Sequence, residues 1–207
     1  HWSEESRHEM EHFYALASVD YKYLAEAFDW KKWLKSRQGE LGPRRLKLLD
    51  VACGSGKFPM ALTQYAEVDD STVSPIDYAL LDPSEFSLAE ARQALTPPFQ
   101  AGAEYQTTIQ ALACERGEFD IVWATHALYA VAVADLQAAL ERFVYATSGA
   151  GFIAHAGRES HYLRFYQHYL DGFKSGTGVP FSSGEQIVET LERMGVGARV
   201  EQISYYN

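Results

Sequence analysis

The sequence has few cysteines, few basic residues and no long apolar run. Its two cysteines, Cys53 and Cys114, are too few for a disulfide framework, and neither has a neighbour at metal-ligand spacing. No apolar stretch approaches the roughly 18 to 20 residues that a membrane-spanning helix needs. The first residues also lack the pattern of a secretory signal peptide. These absences predict a cytoplasmic, reducing setting for the chain.

Positive charge is scarce as well. Lys and Arg number 18 against 28 Asp and Glu, so the formal net charge is -10 at pH 7. Proteins that bind DNA or RNA gain much of their affinity from Lys and Arg side chains that neutralise phosphates. The composition therefore disfavours a nucleic-acid partner. One tight basic cluster, Arg44, Arg45 and Lys47, is interpreted as a solvated flank of the strand that follows it.

The rest of the composition is typical of an ordinary folded domain. With 207 residues, of which 47% are hydrophobic and 22% charged, the chain is long enough for one α/β domain with a sizeable core. No internal repeat or low-complexity tract interrupts it. The sequence begins His1-Trp2 rather than with Met, so we expect it to be trimmed or part of a longer protein.

The most informative stretch is LKLLDVACGSGKFPM, residues 46–60. An apolar run ends at Asp50, a loop of small residues follows, and Pro59 suits the start of a helix, so the pattern predicts strand, tight turn and helix. Gly54 and Gly56 lack a Cβ, which lets the turn take positive φ angles and approach a ligand closely. A carboxylate at the strand end can accept hydrogen bonds from ribose hydroxyls but would repel a pyrophosphate. The stretch therefore predicts a nucleotide-sized site and disfavours a nicotinamide dinucleotide on this turn.

The segment DVACGSG resembles the first motif of the class I S-adenosylmethionine (SAM) dependent methyltransferases. That motif is an acid followed by three alternate glycines, and here Ala52 stands at the first glycine position. The resemblance covers residues 47–157 by motif. It implies an α/β fold with a doubly wound, mainly parallel, Rossmann-like sheet, an N-terminal helical cap, and SAM as the cofactor.

A second strand, predicted at 76–82, also ends in an acid. Parallel strands have their carboxyl ends on one edge of the sheet, so we expect Asp50 and Asp82 to face the same crevice. The resemblance implies that Asp82 binds both ribose hydroxyls, with Pro83 beside it. The residues alone leave an alternative open, a turn in which Asp82 caps the next helix.

Further strands are predicted at 103–108 and 119–124. After the first of these, the resemblance implies that Ile109 packs on the adenine and Gln110 bonds its exocyclic amine; an ordinary loop is the alternative. Glu118-Phe119-Asp120 resembles the family's fourth motif. The resemblance places Ala124, Thr125 and the segment after them beside the methionine part of SAM and the substrate.

Two histidines are candidate catalytic residues. His126 follows the fourth predicted strand, and His155 lies near the end of a fifth, predicted at 152–156, so both should look toward the same edge. An imidazole titrates near neutrality and can accept a proton from an amine or hydroxyl. A base is optional, because the sulfonium is already activated and the enzyme mainly aligns the reacting groups. His126 can equally be a satisfied histidine at a helix start. Neither histidine has other metal-like ligands nearby, so we predict no metal.

Aromatic residues flank this core on both sides. Helical periodicity over 8–33 predicts two helices or one bent helix, and 157–181 contains the helix-like stretch HYLRFYQHYLDGF. Aromatic faces attract amines and sulfonium cations, so these segments can line or cover a substrate pocket. Plain core, a dimer face or an extra packed helix are the alternatives. The residues that we expect around the substrate are Tyr14, Tyr21, Tyr129, Tyr162 and Tyr166.

Remaining patterns complete the predicted order of elements. We predict a loop at 38–45, helices at 58–65, 87–95, 135–147 and 182–194, and a last strand at 196–206. Capping boxes are predicted for Ser87 with Glu90 and for Ser182 with Glu185, and Gly149–Gly151 is predicted to end the helix before it.

The reversed seventh strand of the family is missing from the predicted order of elements in residues 1–207. The chain thus divides into a cap (1–40), a SAM-binding core (46–157), a substrate lid (158–181) and a C-terminal helix and strand (182–207).

Together these features predict an enzyme that moves a methyl group from SAM to an amine or hydroxyl of a small molecule by direct in-line transfer. Three alternatives remain at this point. A nicotinamide oxidoreductase shares the fold. A non-catalytic or partner-dependent SAM-fold domain of a larger enzyme or complex fits a chain without a start Met. A homodimer fits the aromatic segment at 157–181, if that segment is a dimer face. A protein methyltransferase also fits, because the motifs specify the methyl donor and not the acceptor.

Overall fold

The computed structural model describes residues 3–205, with the side chains of 9–17 and of 130 outside that description. Helices and strands alternate after two leading helices. The elements are α1 (Arg7–Glu26), α2 (Trp30–Leu41), β1 (Leu46–Val51), α3 (Lys57–Tyr65), β2 (Ile76–Leu81), α4 (Glu85–Ala94), β3 (Phe99–Tyr105), β4 (Phe119–Thr125), α5 (Leu136–Ala146), β5 (Thr147–Ala154), α6 (His161–Phe173) and α7 (Gly184–Arg193).

The strands form one parallel sheet in the order β3-β2-β1-β4-β5. All strand pairs in it are parallel, so the carboxyl ends of the five strands lie along a single edge. The chain runs outward from β1 through β2 to β3, then crosses back to β4 on the other side of β1. This reversal makes a crevice between the ends of β1 and β4, where ligands bind in open α/β sheets. The predicted doubly wound, parallel fold is confirmed.

The central strands are buried on both faces, which is why they read as nearly continuous apolar runs. Because strand residues alternate between faces, each face has its own core. One face packs against α1, α2, α3 and α4, and the other against α5 and α7. Large residues of the first core are Trp30, Leu34, Leu48, Phe58, Tyr78 and Trp123, and those of the second include Leu49, Val122, Leu140 and Ile187.

Two helix caps differ from the predictions. Ser84, and not Ser87, caps α4, because its hydroxyl accepts the backbone N–H of Ser87 at 3.1 Å. In α7 the cap is Ser183, which exchanges hydrogen bonds with Gln186 in a full capping box. Both predicted boxes were wrong, since neighbouring serines offer equivalent patterns and the path of the chain decides between them.

Two strands begin earlier than predicted. β3 starts at Phe99 and β5 at Thr147, directly after α5, so the glycines thought to end that helix lie inside β5. Packing explains these glycines. A Cβ on Gly149 would lie 2.6 Å from the Asp120 carbonyl oxygen, and one on Gly151 would lie 2.7 Å from the Phe143 ring. The glycines therefore permit close approach to β4 and α5.

The remaining differences are at the two ends of the chain. α2 continues to Leu41 and includes Gly39, so the predicted loop at 38–45 is wrong in its first half. Residues 196–205 form no strand. Within 3–205, β5 is an edge strand that pairs only with β4. The C-terminal segment 196–205 therefore adds no strand to the sheet. Instead it returns to α1, where the Tyr205 hydroxyl donates to Asp20. No helix in the same range is long and apolar enough to cross a membrane.

Candidate functional site

The loop after β1 has an unusual backbone. Ala52, Gly54 and Gly56 have φ angles of 52°, 54° and 71°, and the turn is closed by a hydrogen bond of 3.0 Å from the Gly56 N–H to the Cys53 carbonyl. An L-residue in this region costs roughly 1–2 kcal/mol, which applies to Ala52. Gly56 has a second constraint, because a Cβ there would lie 3.1 Å from the Ala94 Cβ. The loop is thus held against α4 with its backbone turned outward.

Asp82 lies at the end of β2, against this loop. One carboxylate oxygen accepts the Gly54 N–H at 3.2 Å and the other accepts the Ser84 N–H at 2.9 Å. The residue is only 6% exposed, and burial raises the pKa of its carboxyl although both backbone donors oppose that shift. The Ser87 side chain also lowers the pKa of this carboxyl. A carboxylate has about four acceptor positions, so these partners leave capacity for a ribose hydroxyl. Pro83 follows directly in the same turn.

Asp50 has a different environment from Asp82. It shares a sheet face with Tyr78 and Trp123, and the Tyr78 hydroxyl donates to its carboxylate at 2.7 Å. The Trp123 Nε1–H donates in turn to the Tyr78 hydroxyl at 3.2 Å. Burial raises the pKa of Asp50 to about 7, and the nearby charge of Asp82 adds to that rise. The two acids therefore lie near one another, but Asp50 is bonded into the core and only Asp82 is bonded to the loop.

The residues on this side suit a polar nucleoside cofactor. The Ser55 hydroxyl in the glycine loop is buried without a hydrogen-bond partner among the described atoms, so the loop has an unused donor and acceptor. Ile109 is buried and Gln110 is exposed in a short 3₁₀ turn after β3. Ala124 and Thr125 are buried at the end of β4. Carboxylate, hydroxyl and apolar groups are the kinds of contact that an adenosine moiety needs.

His126 begins the other side of the crevice. It directly follows β4 with a φ of 53°, and its N–H donates to the Ala154 carbonyl at 2.9 Å. The edge of the Tyr21 ring packs on the imidazole at 5.4 Å between centroids. Nδ1 lies 3.4 Å from the Tyr129 hydroxyl, which also accepts the Ala156 N–H at 2.8 Å. Burial lowers the pKa of His126, while Asp20 opposes that shift.

His155 stacks on Tyr129, with 3.9 Å between ring centroids. Its Nε2 lies 2.8 Å from the Ser182 carbonyl oxygen, which can only accept, so Nε2 carries the proton. Nδ1 is then a lone pair, and it is buried with no hydrogen-bond partner in the described structure. Burial lowers the pKa of His155 to about 4. At neutral pH this histidine is an uncharged acceptor and a weak base.

Aromatic side chains from separate segments surround the two histidines. Phe181 stacks on Tyr166 at 3.6 Å and also contacts Tyr129 and Tyr162. Tyr162 contacts Tyr129 at 4.9 Å. Four of the five tyrosines predicted around the substrate thus lie in one cluster with the histidines, while the side chain of Tyr14 lies outside the described residues.

Several residues of this region had no clear signal in the sequence. Asp20 precedes Tyr21 in α1, Phe181 precedes the serines at the start of α7, and Tyr205 comes from the irregular C-terminal segment. Of these three residues, only Asp20 could have been found from the sequence, because it directly precedes Tyr21, a predicted substrate residue on a predicted helix. Among residues 3–205, no group of three or more His, Cys, Asp or Glu could hold a metal ion.

A family model described as a methyltransferase domain matches residues 48–151. Among solved structures, the chain is similar to a SAM-dependent methyltransferase of Thermotoga maritima, a possible histamine N-methyltransferase, with 18% identity over 92% of this chain and 78% of that one and a TM-score of 0.59. It is also similar to the magnesium protoporphyrin IX methyltransferase of Synechocystis PCC 6803 with bound S-adenosylhomocysteine (SAH), with 17% identity, coverage of 90% and 78%, and a TM-score of 0.60. No curated protein matches it.

At these identities the two structures support the fold, whereas the family model supports the family. It spans half of the chain and includes the glycine loop, Asp82 and the end of β4. The predicted family, activity and cofactor are confirmed. The chain belongs to the class I SAM-dependent methyltransferases.

Proposed function

We propose that the acceptor is an amine or hydroxyl of a small molecule, which receives the methyl group by direct in-line transfer. One observation carries this proposal: two partly buried histidines and a cluster of aromatic rings meet beyond the ends of β4 and β5. Such a lining suits a small acceptor with an apolar body and one polar atom. A cytoplasmic setting belongs to the same proposal and is supported by the two free thiols, Cys53 and Cys114.

On the donor side, each residue would have a simple role. Asp82 would accept a ribose hydroxyl, while Ser55 and the loop N–H groups would meet the polar methionine part. Ile109 and Gln110 would border the adenine, and Ala124 and Thr125 would border the methionine part from β4. Bound SAM supplies a methyl group already activated by its positively charged sulfur, so the chain mainly has to align the acceptor.

On the acceptor side, the histidines would position a proton-bearing atom and exclude water. The unpartnered Nδ1 of His155 can accept a hydrogen bond from the acceptor, and the His126–Tyr129 pair can pass a proton between its two polar atoms. Because burial lowers the pKa of both histidines, neither is a strong base. We therefore expect them to orient the acceptor more than to ionise it.

The division of the chain into parts belongs to the same proposal. Residues 1–40 would act as a cap, since Tyr21 of α1 packs on His126. Residues 158–181 would act as a lid, since α6 contributes two tyrosines to the aromatic cluster. Cap and lid would close the acceptor side, while residues 46–157 hold the cofactor.

The first test is calorimetry of SAH binding to the whole chain. We expect micromolar affinity and a loss of about 100-fold in Asp82→Ala, because a charge-assisted hydrogen bond to the ribose is removed. Asp77→Ala is the matched control, since Asp77 lies at the opposite end of β2 and is half exposed. Unchanged affinity in Asp82→Ala would rule out the ribose assignment. Turnover is then followed as SAH release with panels of small amines and alcohols, and turnover with neither panel would contradict a small acceptor.

A further inference from the structure

Asp20 is the acidic group of the acceptor side. It lies in α1 directly before Tyr21, whose ring packs on His126 at 5.4 Å. Its carboxylate accepts the Tyr205 hydroxyl at 2.6 Å. Asp20 also acts on the cluster electrostatically, because its charge opposes the lowering of the His126 pKa by burial and adds to the rise in the Tyr129 pKa. A carboxylate therefore borders the site where the acceptor would lie.

Carboxylates give this cluster its negative charge. Among the described residues, the carboxylates that act on His126, Tyr129 and His155 are those of Asp20 and Glu185. Glu185 is already engaged, because both of its oxygens bond a backbone N–H at 2.8 and 3.0 Å. Asp20 accepts a hydrogen bond from the Tyr205 hydroxyl, and its carboxylate favours a cation on this side.

The rings around Asp20 also favour a cation. Tyr205 stacks on Tyr23 at 4.5 Å, and the rings of Tyr21 and Tyr129 both lie beside His126. Aromatic faces attract ammonium groups, most strongly where water is excluded. The Tyr205 hydroxyl uses one acceptor position of Asp20, and a carboxylate has about four, so an ammonium can bind beside it.

We propose that the acceptor is an amine that binds as its ammonium ion, with Asp20 as the residue that selects it over a hydroxyl compound. This inference rests on the proposed function and narrows it. The ammonium first loses one proton to water by way of the His126–Tyr129 pair. The freed nitrogen lone pair then forms the new N–C bond, the C–S bond breaks with its electrons left on sulfur, and the methylated product is again a cation. Asp20 attracts the positive charge before and after transfer.

A hydroxyl acceptor fits this arrangement less well. An alcohol must lose its proton during transfer, and histidines whose pKa values are lowered by burial accept that proton weakly. It also brings no charge to interact with Asp20. A neutral amine, in contrast, attacks without further activation.

The test uses the whole chain saturated with SAH and two matched probes, benzylamine, which is charged at neutral pH, and benzyl alcohol. We expect calorimetry to give at least about tenfold tighter binding of benzylamine, a preference that Asp20→Asn abolishes. Asp70→Asn makes the same change in net charge on an exposed loop and should keep the preference. Equal affinity of the two probes, binding of neither, or a preference that survives Asp20→Asn would overturn the inference.

A second variant separates recognition from tethering of the C-terminal segment. Tyr205→Phe removes the hydrogen bond to Asp20 but keeps the carboxylate, so the preference for benzylamine should persist. If Tyr205→Phe abolishes the preference for benzylamine as Asp20→Asn does, Asp20 acts by holding the C-terminal segment in place. The inference is then wrong. SAH affinity reports separately on the proposed function: if SAH binds and only the amine preference fails, a small amine or hydroxyl acceptor still stands.

Discussion

The two sides of the crevice are built in different ways. The proposed donor side comes mainly from the consecutive stretch 46–84, where the contacts include backbone ones, such as the Gly54 and Ser84 N–H groups on Asp82. The acceptor side is assembled from side chains of α1, the turn after β4, the end of β5, α6, the start of α7 and the C-terminal segment. The donor side therefore depends on local backbone geometry, and the acceptor side on long-range packing.

The same contrast appears in two acids that look alike in sequence. Asp82 bonds to backbone N–H groups at the surface of the loop, whereas Asp50 bonds to Tyr78 within the core. Burial raises the pKa of both carboxyls; a phenol hydroxyl opposes that rise at Asp50, and two backbone N–H groups oppose it at Asp82. One acid is thus suited to bind a ligand, and the other to brace the strands beneath it.

Gly56→Ala should have the largest effect on the donor side. The new Cβ would meet Ala94 and Ala91 at 3.1 and 3.2 Å, at a φ of 71°. We expect a loss of roughly 2–3 kcal/mol in the free energy of unfolding, measured in urea. The control is Gly39→Ala, in the last turn of α2 with nothing within 4 Å of the new methyl, which should stabilise by about 0.5–1 kcal/mol. Equal effects of the two variants would contradict the packing argument.

The ionisation of Asp50 should make stability depend on pH. Its folded pKa of about 7 lies above the ordinary value of 3.8, so the native state binds the extra proton between these values. Stability should therefore fall as pH rises through this window and level off above it. In Asp50→Asn this fall should be absent, a difference of about 2–3 kcal/mol between pH 5 and pH 8.

Tyr78→Phe sharpens the test of Asp50. It removes a hydrogen bond that lowers the pKa of Asp50, so the fall in stability should extend to higher pH than in the wild type. Urea titrations at several pH values would measure both variants. If the free energy of unfolding depends on pH in the same way in Asp50→Asn and the wild type, Asp50 is charged over the whole pH range measured.

Phe181→Ala should affect the acceptor side alone. It removes a ring that stacks on Tyr166 and contacts Tyr129 and Tyr162, so KM for the acceptor should rise about tenfold while SAH affinity stays the same. Phe165→Ala, on the exposed outer face of α6, is the matched control and should change neither value. If Phe181→Ala also weakens SAH binding, the acceptor side and the donor side do not act independently.

Ala52→Gly should have the smallest effect. Glycine takes a φ of 52° without strain, and part of that gain is lost to the entropy of the unfolded chain. We expect a net stabilisation of about 0.5–1 kcal/mol, seen as a higher urea midpoint. Destabilisation would show that the Ala52 methyl makes contacts that outweigh its strain.

Prediction from the sequence was most successful where one local pattern sufficed. The apolar runs of β1, β2 and β4 and the periodicity of α6 located these elements, because burial on both faces and amphipathic spacing leave strong patterns. It failed where equivalent local patterns compete, as for the serines that cap α4 and α7. It failed again at Gly149 and Gly151, whose role is contact with distant atoms.

By itself the sequence determined the family, the parallel α/β fold and the acidic, glycine-rich loop, since each depends on residue types at short spacings. Only the tertiary structure decided which acid bonds to the loop, and that Asp20, Phe181 and Tyr205 join the histidines. The physical reason is the distance along the chain between the residues that interact. Turn geometry and strand burial are encoded within a few neighbouring residues, whereas an acceptor site made of side chains exists only once six separate segments have packed together.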